Sequence, residues 1–260
     1  MARVVLTQPL PRVEALAERL RARGHETLAL GLTRIVERLD DAQLRDAIAR
    51  LSGFDWVVLV SPAAALAAAR LAPEWPANVG VAVVGPGSRA ALADAGFRRA
   101  PVRVLAPDAP PYDGDALAAR LANEVPPAAR VLVLRGETGS EAWIRTLREG
   151  GAQVQVCAAY RHEPVEPRPD ALARLRSWLE SGDAGAPCFV VTQASSVGRL
   201  ERVLRGAGLH ERAKRAPALA IHPRIADALR DAGWSDVRQV DPGEAALMLA
   251  LESASHSSSR

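Results

Sequence analysis

Few side chains in this sequence belong to types that move protons or form bonds, and their spacing narrows the chemistry further. Only two tyrosines occur, Tyr112 and Tyr160. Tyr160 closes an apolar stretch and precedes Arg161, His162 and Pro164. A phenol there can donate or accept a proton if it faces a ligand. It can equally be an aromatic packed on a sheet edge, and position alone leaves both readings open. His25, His162, His210, His222 and His256 show no metal-ligand spacing, and surface or capping roles suit each of them. Cys157 and Cys188 form no CxxC and read as two buried thiols, ahead of a disulfide or a metal site. GPGSRA from Gly85 lacks the third glycine of a dinucleotide fingerprint, and no acidic residue follows at the usual distance. GETGSE from Gly136 lacks the lysine of a P-loop, and no G-x-S-x-G elbow is present.

A second set of residues recurs along the chain. Thr7 follows the apolar run 4–6, Ser61 and Pro62 follow 56–60, and Gly85, Pro86 and Ser88 follow 81–84. Arg135, Gly136, Glu137 and Gly139 follow 131–134. Thr192, Gln193, Ala194 and Ser195 follow 189–191, and His222, Pro223 and Arg224 follow 219–221. Each group opens a helical pattern. The free N–H groups and the positive dipole end of a helix start suit an anion. Taken alone, each group is a helix cap. Their recurrence in both halves of the chain points to a ligand with several carboxylates.

The elements that must position these residues follow from periodicity. In the first half, strands are expected at 4–7, 27–38, 56–60, 81–84 and 102–105. Helices are expected at 12–23, 40–51, after 61, from 86 to 96, and from 115. In the second half a strand at 131–134 leads to a helix at 142–149 and an extended segment at 154–160. Pro164, Pro167 and Pro169 mark a linker. A helix at 172–180, a turn at 181–187 and strands at 189–192, 219–221 and 237–240 complete the pattern. The Ser-rich tail from 253 reads as disordered. Alternating strands and helices imply parallel βαβ units with right-handed crossovers, whose ligands bind beyond the carboxyl ends of the strands.

The halves also resemble each other. GPGSRAALADAGF from Gly85 returns as HPRIADALRDAGW from His222. ARVVLTQPL from Ala2 is echoed by ARVLVLRGE from Ala129, and WVVLVSPAAALAAARL from Trp56 by CFVVTQASSVGRLERVL from Cys188. The offset is too long for a solenoid, whose repeats run ~20–50 residues. Duplication of one α/β unit is expected, with a ligand between the two copies.

At 260 residues and 48% apolar content the chain suits one large domain or two ordinary ones. No apolar run reaches the ~18–20 residues of a membrane helix. The opening MARVVLTQP is a strand pattern rather than a secretory signal, so the expected location is cytoplasmic. The formal charge is +3, Lys214 is the single lysine, and charges of both signs are interspersed. That pattern argues against nucleic acid as a partner, as the lack of a long apolar run argues against membrane, and it is compatible with a polyanionic small molecule.

Taken in order, several short motifs resemble one family. They are V-L-T-x-P at 5–9, F-D-W-V-V at 54–58 with Ser61 following, V-G-P-G at 84–87 and L-R-G-E-x-G at 134–139. A-x-Y-R-H at 158–162, V-V-T at 190–192 and A-D-A-L-R-D-A-G-W at 226–234 follow. The set, over roughly residues 3–251, is similar to uroporphyrinogen-III synthase. The resemblance implies an α/β fold of two similar three-layer α/β/α domains with parallel sheets, the first strand and helix being exchanged. One domain would be 1–34 plus 165–255 and the other 38–158. A two-stranded β linker would lie near 30–37 and 156–163, with 256–260 a disordered tail.

The family is a hydro-lyase of tetrapyrrole (heme) biosynthesis that cyclises hydroxymethylbilane with inversion of ring D and loss of water. It uses no metal or organic cofactor. The resemblance makes Tyr160 the catalytic residue, protonating the departing hydroxyl group. It assigns the substrate carboxylates to the helix starts named above. It further implies a monomer and a hand-over of substrate from hydroxymethylbilane synthase. Gln8, Ser140, His222, Arg224 and Ile225 depart from the family pattern, which bears on individual carboxylate contacts. The competing readings are a non-catalytic two-domain binding protein for a small polyanion and a synthase domain turned into a partner-binding scaffold.

Overall fold

Short runs of Val, Leu and Ala form strands whose two faces are both covered by helices, the pattern expected of parallel sheets. The computed structural model describes residues 1–10, 12–96, 103–110, 112–182, 186–241 and 243–257. The chain divides into two units, Met1–Arg34 with Glu163–Arg260, and Ile35–His162.

The first unit holds β1 (Arg3–Leu6), β2 (Glu26–Ala29), β9 (Cys188–Val191), β10 (Ala218–Ala220) and β11 (Val237–Gln239), in the order β11-β10-β9-β1-β2. Every neighbouring pair is parallel. The first strand of the chain therefore sits inside a sheet otherwise built from its C-terminal part. Val5, Phe189 and Val191 point to one face, beneath α7 (Pro169–Glu180), α8 (Val197–Gly206) and α10 (Pro223–Asp231). Val4, Leu6, Val190 and Leu219 point to the other, beneath α1 (Arg12–Ala22) and α11 (Glu244–Ser257). In α1 the buried residues Val13, Leu16, Ala17 and Leu20 form one stripe, and Gly24 follows it at φ +82°, the left-handed conformation that ends helices. The short helix α9 (His210–Ala213) has no counterpart in the sequence reading.

The sheet of the second unit is built from β3 (Thr33–Glu37), β4 (Trp56–Leu59), β5 (Gly80–Val83), β6 (Val104–Leu105), β7 (Arg130–Gly136) and β8 (Gln153–Pro164), in the order β3-β8-β7-β4-β5-β6, with the first two residues of β3 and the last two of β8 falling in the first unit. The pairs from β8 to β6 are parallel. Val57, Leu59, Val81, Val83, Leu132 and Leu134 pack with α2 (Ala42–Ala49) and the Ala-rich α3 (Pro62–Leu71), with α4 (Pro86–Asp94) on the same face. Trp56, Val58, Ala82, Val131 and Val133 pack on the opposite face with α5 (Gly114–Ala122) and α6 (Ala142–Glu149).

The sequence repeats map onto these orders. The β1 segment matches β7, β9 matches β4, and the segment after β10 matches the one after β5. Each matched pair holds the same place in its own sheet. The protein is thus an α/β duplication with parallel-dominated sheets and an exchanged first strand.

Residues 27–38 do not form one strand. They split into β2 and β3, which lie in different sheets. Gly31 between them adopts φ +37°, and a β-carbon there would come within 3.1 Å of the Leu10 side chain. The bonds Arg38 N–H to Ala159 O and Val165 N–H to Leu32 O, 3.0 Å each, run antiparallel along β3 and β8. Both passages of the chain between the units fall in this pair. The Ser-rich segment read as a disordered tail is helical through Ser257, because Leu247, Met248 and Leu251 of α11 are buried in the core and carry the helix onward. Residues 258–260 lie outside the described residues, as do residue 102 of the expected strand 102–105 and residues 183–185 of the expected turn.

Candidate active site

In the second unit the register Leu59↔Val83 and Leu59↔Leu134 brings the segments after β4, β5 and β7 to one edge. Ser61 caps α3, its Oγ accepting from Ala64 N–H at 3.1 Å, and Pro62 opens the helix. Gly85 caps α4 without a side chain, and a β-carbon there would lie 2.9 Å from Tyr112 Cβ. Pro86 is exposed and Ser88 is buried in the first turn. Gly136 ends β7 at the same edge and pairs with Tyr160 of β8.

Tyr160 is 8% exposed. Its ring lies over the Gly136 α-carbon: a β-carbon at 136 would be 3.0 Å from Cε2, 3.1 Å from Cζ and 3.3 Å from Oη. His162 meets the ring edge-on at 5.5 Å. Among the described residues nothing is hydrogen-bonded to the phenolic oxygen. The edge that carries the helix starts of this unit therefore also carries a phenol with its proton uncommitted.

Arg135 and Glu137 are engaged within the protein. Arg135 is 8% exposed and donates to the carbonyls of Gly136, Ser140 and Gly139 at 3.2, 3.2 and 3.3 Å. Its Nη1 lies 3.3 Å from Glu141 Oε1. Gly139 and Ser140 are thus acceptors in a turn braced by one guanidinium. Glu137 donates its N–H to Tyr160 O at 2.9 Å, and its carboxylate accepts from Arg38 Nη1 at 2.9 Å. Arg38 also reaches Asp41, the N-cap of α2. The Leu44 N–H that Asp41 accepts, and then the Arg38 charge, hold its carboxyl below the usual carboxylate range. Arg38 was not singled out from the sequence. It is one of many arginines in a chain with 33 basic residues, and nothing local marks it.

In the first unit the register Leu6↔Val190 and Ala220↔Val191 aligns Thr7, Thr192 and the segment before His222. Thr7 is 1% exposed, and both its N–H and its hydroxyl donate to Val190 O, at 3.3 and 2.9 Å. It joins β1 to β9 and leaves no donor for a ligand. Thr192 and Gln193 are half-buried, while Ala194 and Ser195 are exposed. Residues Ala194–Ser196 form a 3₁₀ turn before α8, in place of an immediate helix start. Ser196 donates to Gln193 Oε1 at 3.2 Å. His222 caps α10, its Nδ1 accepting from Arg224 N–H at 3.1 Å, and Pro223 occupies the first turn. Pro223 and Arg224 are exposed and Ile225 is buried.

Both cysteines are free and buried. Burial pushes the Cys188 thiol up to about 12 and raises that of Cys157, so neither is a thiolate near neutrality. Among the described residues no group of three or more His, Cys, Asp and Glu could hold a metal ion, and no helix is long and apolar enough to cross a membrane.

Comparison with known proteins adds an independent line. The family model described as uroporphyrinogen-III synthase HemD matches residues 14–247. A uroporphyrinogen-III synthase of Salmonella typhimurium (strain LT2) is 28% identical over 260 residues, covering 96% of this chain and 99% of that protein. Among solved structures, a mutant uroporphyrinogen III synthase from the extremely thermophilic bacterium Thermus thermophilus superposes with a TM-score of 0.60 at 20% identity, covering 99% of each chain. The uroporphyrinogen-III synthetase of Helicobacter pylori 26695 gives 0.57 at 14% identity, covering 97% of this chain and 99% of that one. At these identities the two structures speak to the fold alone.

Proposed function

The chain belongs to the uroporphyrinogen-III synthase family, and we propose from that membership that Tyr160 and the helix starts at the carboxyl edges of its sheets carry the family's reaction. The enzyme is a lyase of heme biosynthesis that forms uroporphyrinogen III from hydroxymethylbilane with loss of water. The observation that carries the assignment of Tyr160 is its position over Gly136, on the edge where Ser61 and Gly85 open helices. A phenol there donates its proton to the departing hydroxyl group, which leaves as water. The azafulvenium cation left behind closes onto the substituted carbon of ring D through a spiro intermediate, which inverts that ring, and the proton released as the pyrrole is restored returns to the phenolate.

The substrate is a flexible polycarboxylate, so the protein's task is orientation. Ser61, Pro62, Gly85, Pro86, Ser88, Gly136 and Gly139 in one unit, and Thr192, Gln193, Ala194, Ser195, His222, Pro223 and Arg224 in the other, are the candidates to take its carboxylates. They would do so through backbone N–H groups of these segments, short polar side chains and the Arg224 guanidinium, while Pro62, Pro86 and Pro223, which have no N–H, set the first turns of the helices. Thr7, Arg135 and Glu137 support these edges through bonds already made. The same reading takes the enzyme as a cytoplasmic monomer that receives its substrate from hydroxymethylbilane synthase.

The test is isomer analysis. Freshly made hydroxymethylbilane closes unaided, head to tail, to the type I product, since that route avoids attack at a substituted carbon. With the purified protein the main product is expected to be type III, read by chromatography of the oxidised porphyrins. The family needs no metal, so a chelator should leave the yield unchanged. Product that stays type I at high protein concentration overturns the reading and favours a protein that binds a polyanion without turning it over.

A further inference from the structure

We propose that Arg135 is a positioning residue that seats the Tyr160 phenol by fixing the turn 136–140, and that its guanidinium is not a carboxylate ligand. The inference rests on the reading of Tyr160 as the proton donor.

The direction of the Tyr160 side chain is set by the register of β7 and β8. They pair residue for residue from Arg130↔Gln153 to Arg135↔Ala158, and the next pair is Gly136↔Tyr160. Ala159 is one residue too many for the ladder. Bulges are rare in parallel pairs, and they re-aim the side chain that follows. Here Cys157 and Ala159 keep the strand's alternation into one core face, and Tyr160 joins the same face directly after Ala159. Without the bulge, Tyr160 would turn to the opposite side of the sheet.

Gly136 supplies the seat. The ring lies where a side chain at 136 would be, so the position of the phenol follows the position of the Gly136 backbone. That backbone continues into the turn 136–140, whose carbonyls at Gly136, Gly139 and Ser140 converge on Arg135 Nε, Nη2 and Nη1. A planar guanidinium offers donors in a fixed fork, and a lysine ammonium cannot reach three such carbonyls in that geometry. A cation this buried would be costly without partners. Here all three nitrogens are engaged, with Glu141 Oε1 beside Nη1. The bulge is held from both sides of β8: Arg38 N–H, next to β3, donates to Ala159 O, and Glu137 N–H, just past β7, donates to Tyr160 O.

The test uses Arg135→Lys and Arg135→Met in the full chain, with three readouts. First, the wild-type protein must give type III product; if it does not, the synthase reading fails, whatever Arg135 does. Second, with two tyrosines in the chain, 3-fluorotyrosine labelling gives two ¹⁹F resonances, assigned with Tyr112→Phe. Both Arg135 variants should move or broaden the Tyr160 resonance and leave that of Tyr112 in place. Third, kcat should fall about 10–100-fold with KM within about threefold, the signature of misplacing a group that acts in the transition state. A carboxylate ligand would instead raise KM with kcat kept. A raised KM with kcat and the Tyr160 resonance unchanged overturns the proposal. If the Arg135 variants lose their thermal transition, Gly136→Ala displaces the ring while leaving the guanidinium intact. It should show the same resonance shift and the same fall in kcat, and wild-type values for both overturn the proposal.

Discussion

At Tyr160 the phenolic oxygen has no hydrogen-bond partner among the described residues, while the ring is buried against Gly136 and the core of its unit. Removing the oxygen alone should therefore spare the fold. Tyr160→Phe is expected to keep the wild-type unfolding midpoint and to lose about 10–100-fold in kcat, at or below the low end of the range for a general acid because water can substitute. Steady-state kinetics beside a thermal melt checks both halves. Turnover at the wild-type rate would make Tyr160 a packing residue. Arg135 and Thr7 show the converse situation. From the sequence they read as donors to a ligand, yet the Thr7 hydroxyl and each of the three Arg135 nitrogens donate to carbonyls of the protein itself.

Among the elements, the seam between β1 and β9 is the informative one. It joins residues 183 positions apart through Thr7 Oγ1 and Val190 O. Thr7→Val keeps the shape of the side chain, removes the buried hydroxyl and leaves Val190 O with the Thr7 N–H. A loss of about 1 kcal/mol in unfolding free energy is expected, the usual net worth of one such bond. Because the hydroxyl offers nothing to a ligand, KM should remain near wild type. Denaturant melts and substrate titration separate these outcomes, and a strongly raised KM at unchanged stability would return Thr7 to the substrate site. The helix starts were easier to read: Ser61-Pro62 and Gly85-Pro86 are cap and first-turn residues by type, and they occupy those positions.

For the molecule as a whole, the position of β1 sets which pieces of chain can fold. A fragment of residues 163–260 lacks β1, β2 and α1. It exposes the edge of β9 together with the apolar face of Val190, Leu219, Leu247 and Leu251. It should be insoluble or lack a cooperative transition, and residues 1–34 supplied in trans or fused to it should restore one. Residues 35–162 keep β4 to β7 and most of β8 with the helices on both faces, and should unfold cooperatively alone. Circular dichroism melts of the two fragments check this. A stable 163–260 fragment would show that the exchanged strand is dispensable.

The amino-acid sequence by itself determined the class of the fold, its duplication, the places of most elements and the family. These are written locally. Runs such as WVVL at Trp56 and VLVL at Val131 partition from water wherever they are placed, and a Ser-Pro or Gly-Pro pair opens a helix by its own dihedral and hydrogen-bond preferences. Tertiary structure alone decided that residues 27–38 divide between two sheets, that the Ser-rich end continues a helix, and that Ala159 is an extra residue in the ladder. It also decided whether a polar side chain remains available to a ligand. A strand's periodicity says which face is apolar and nothing about its neighbour, and an arginine's identity says how many donors it has and nothing about which carbonyls lie within hydrogen-bonding reach. Those facts depend on groups brought together from distant parts of the chain, and they exist only once the chain has folded.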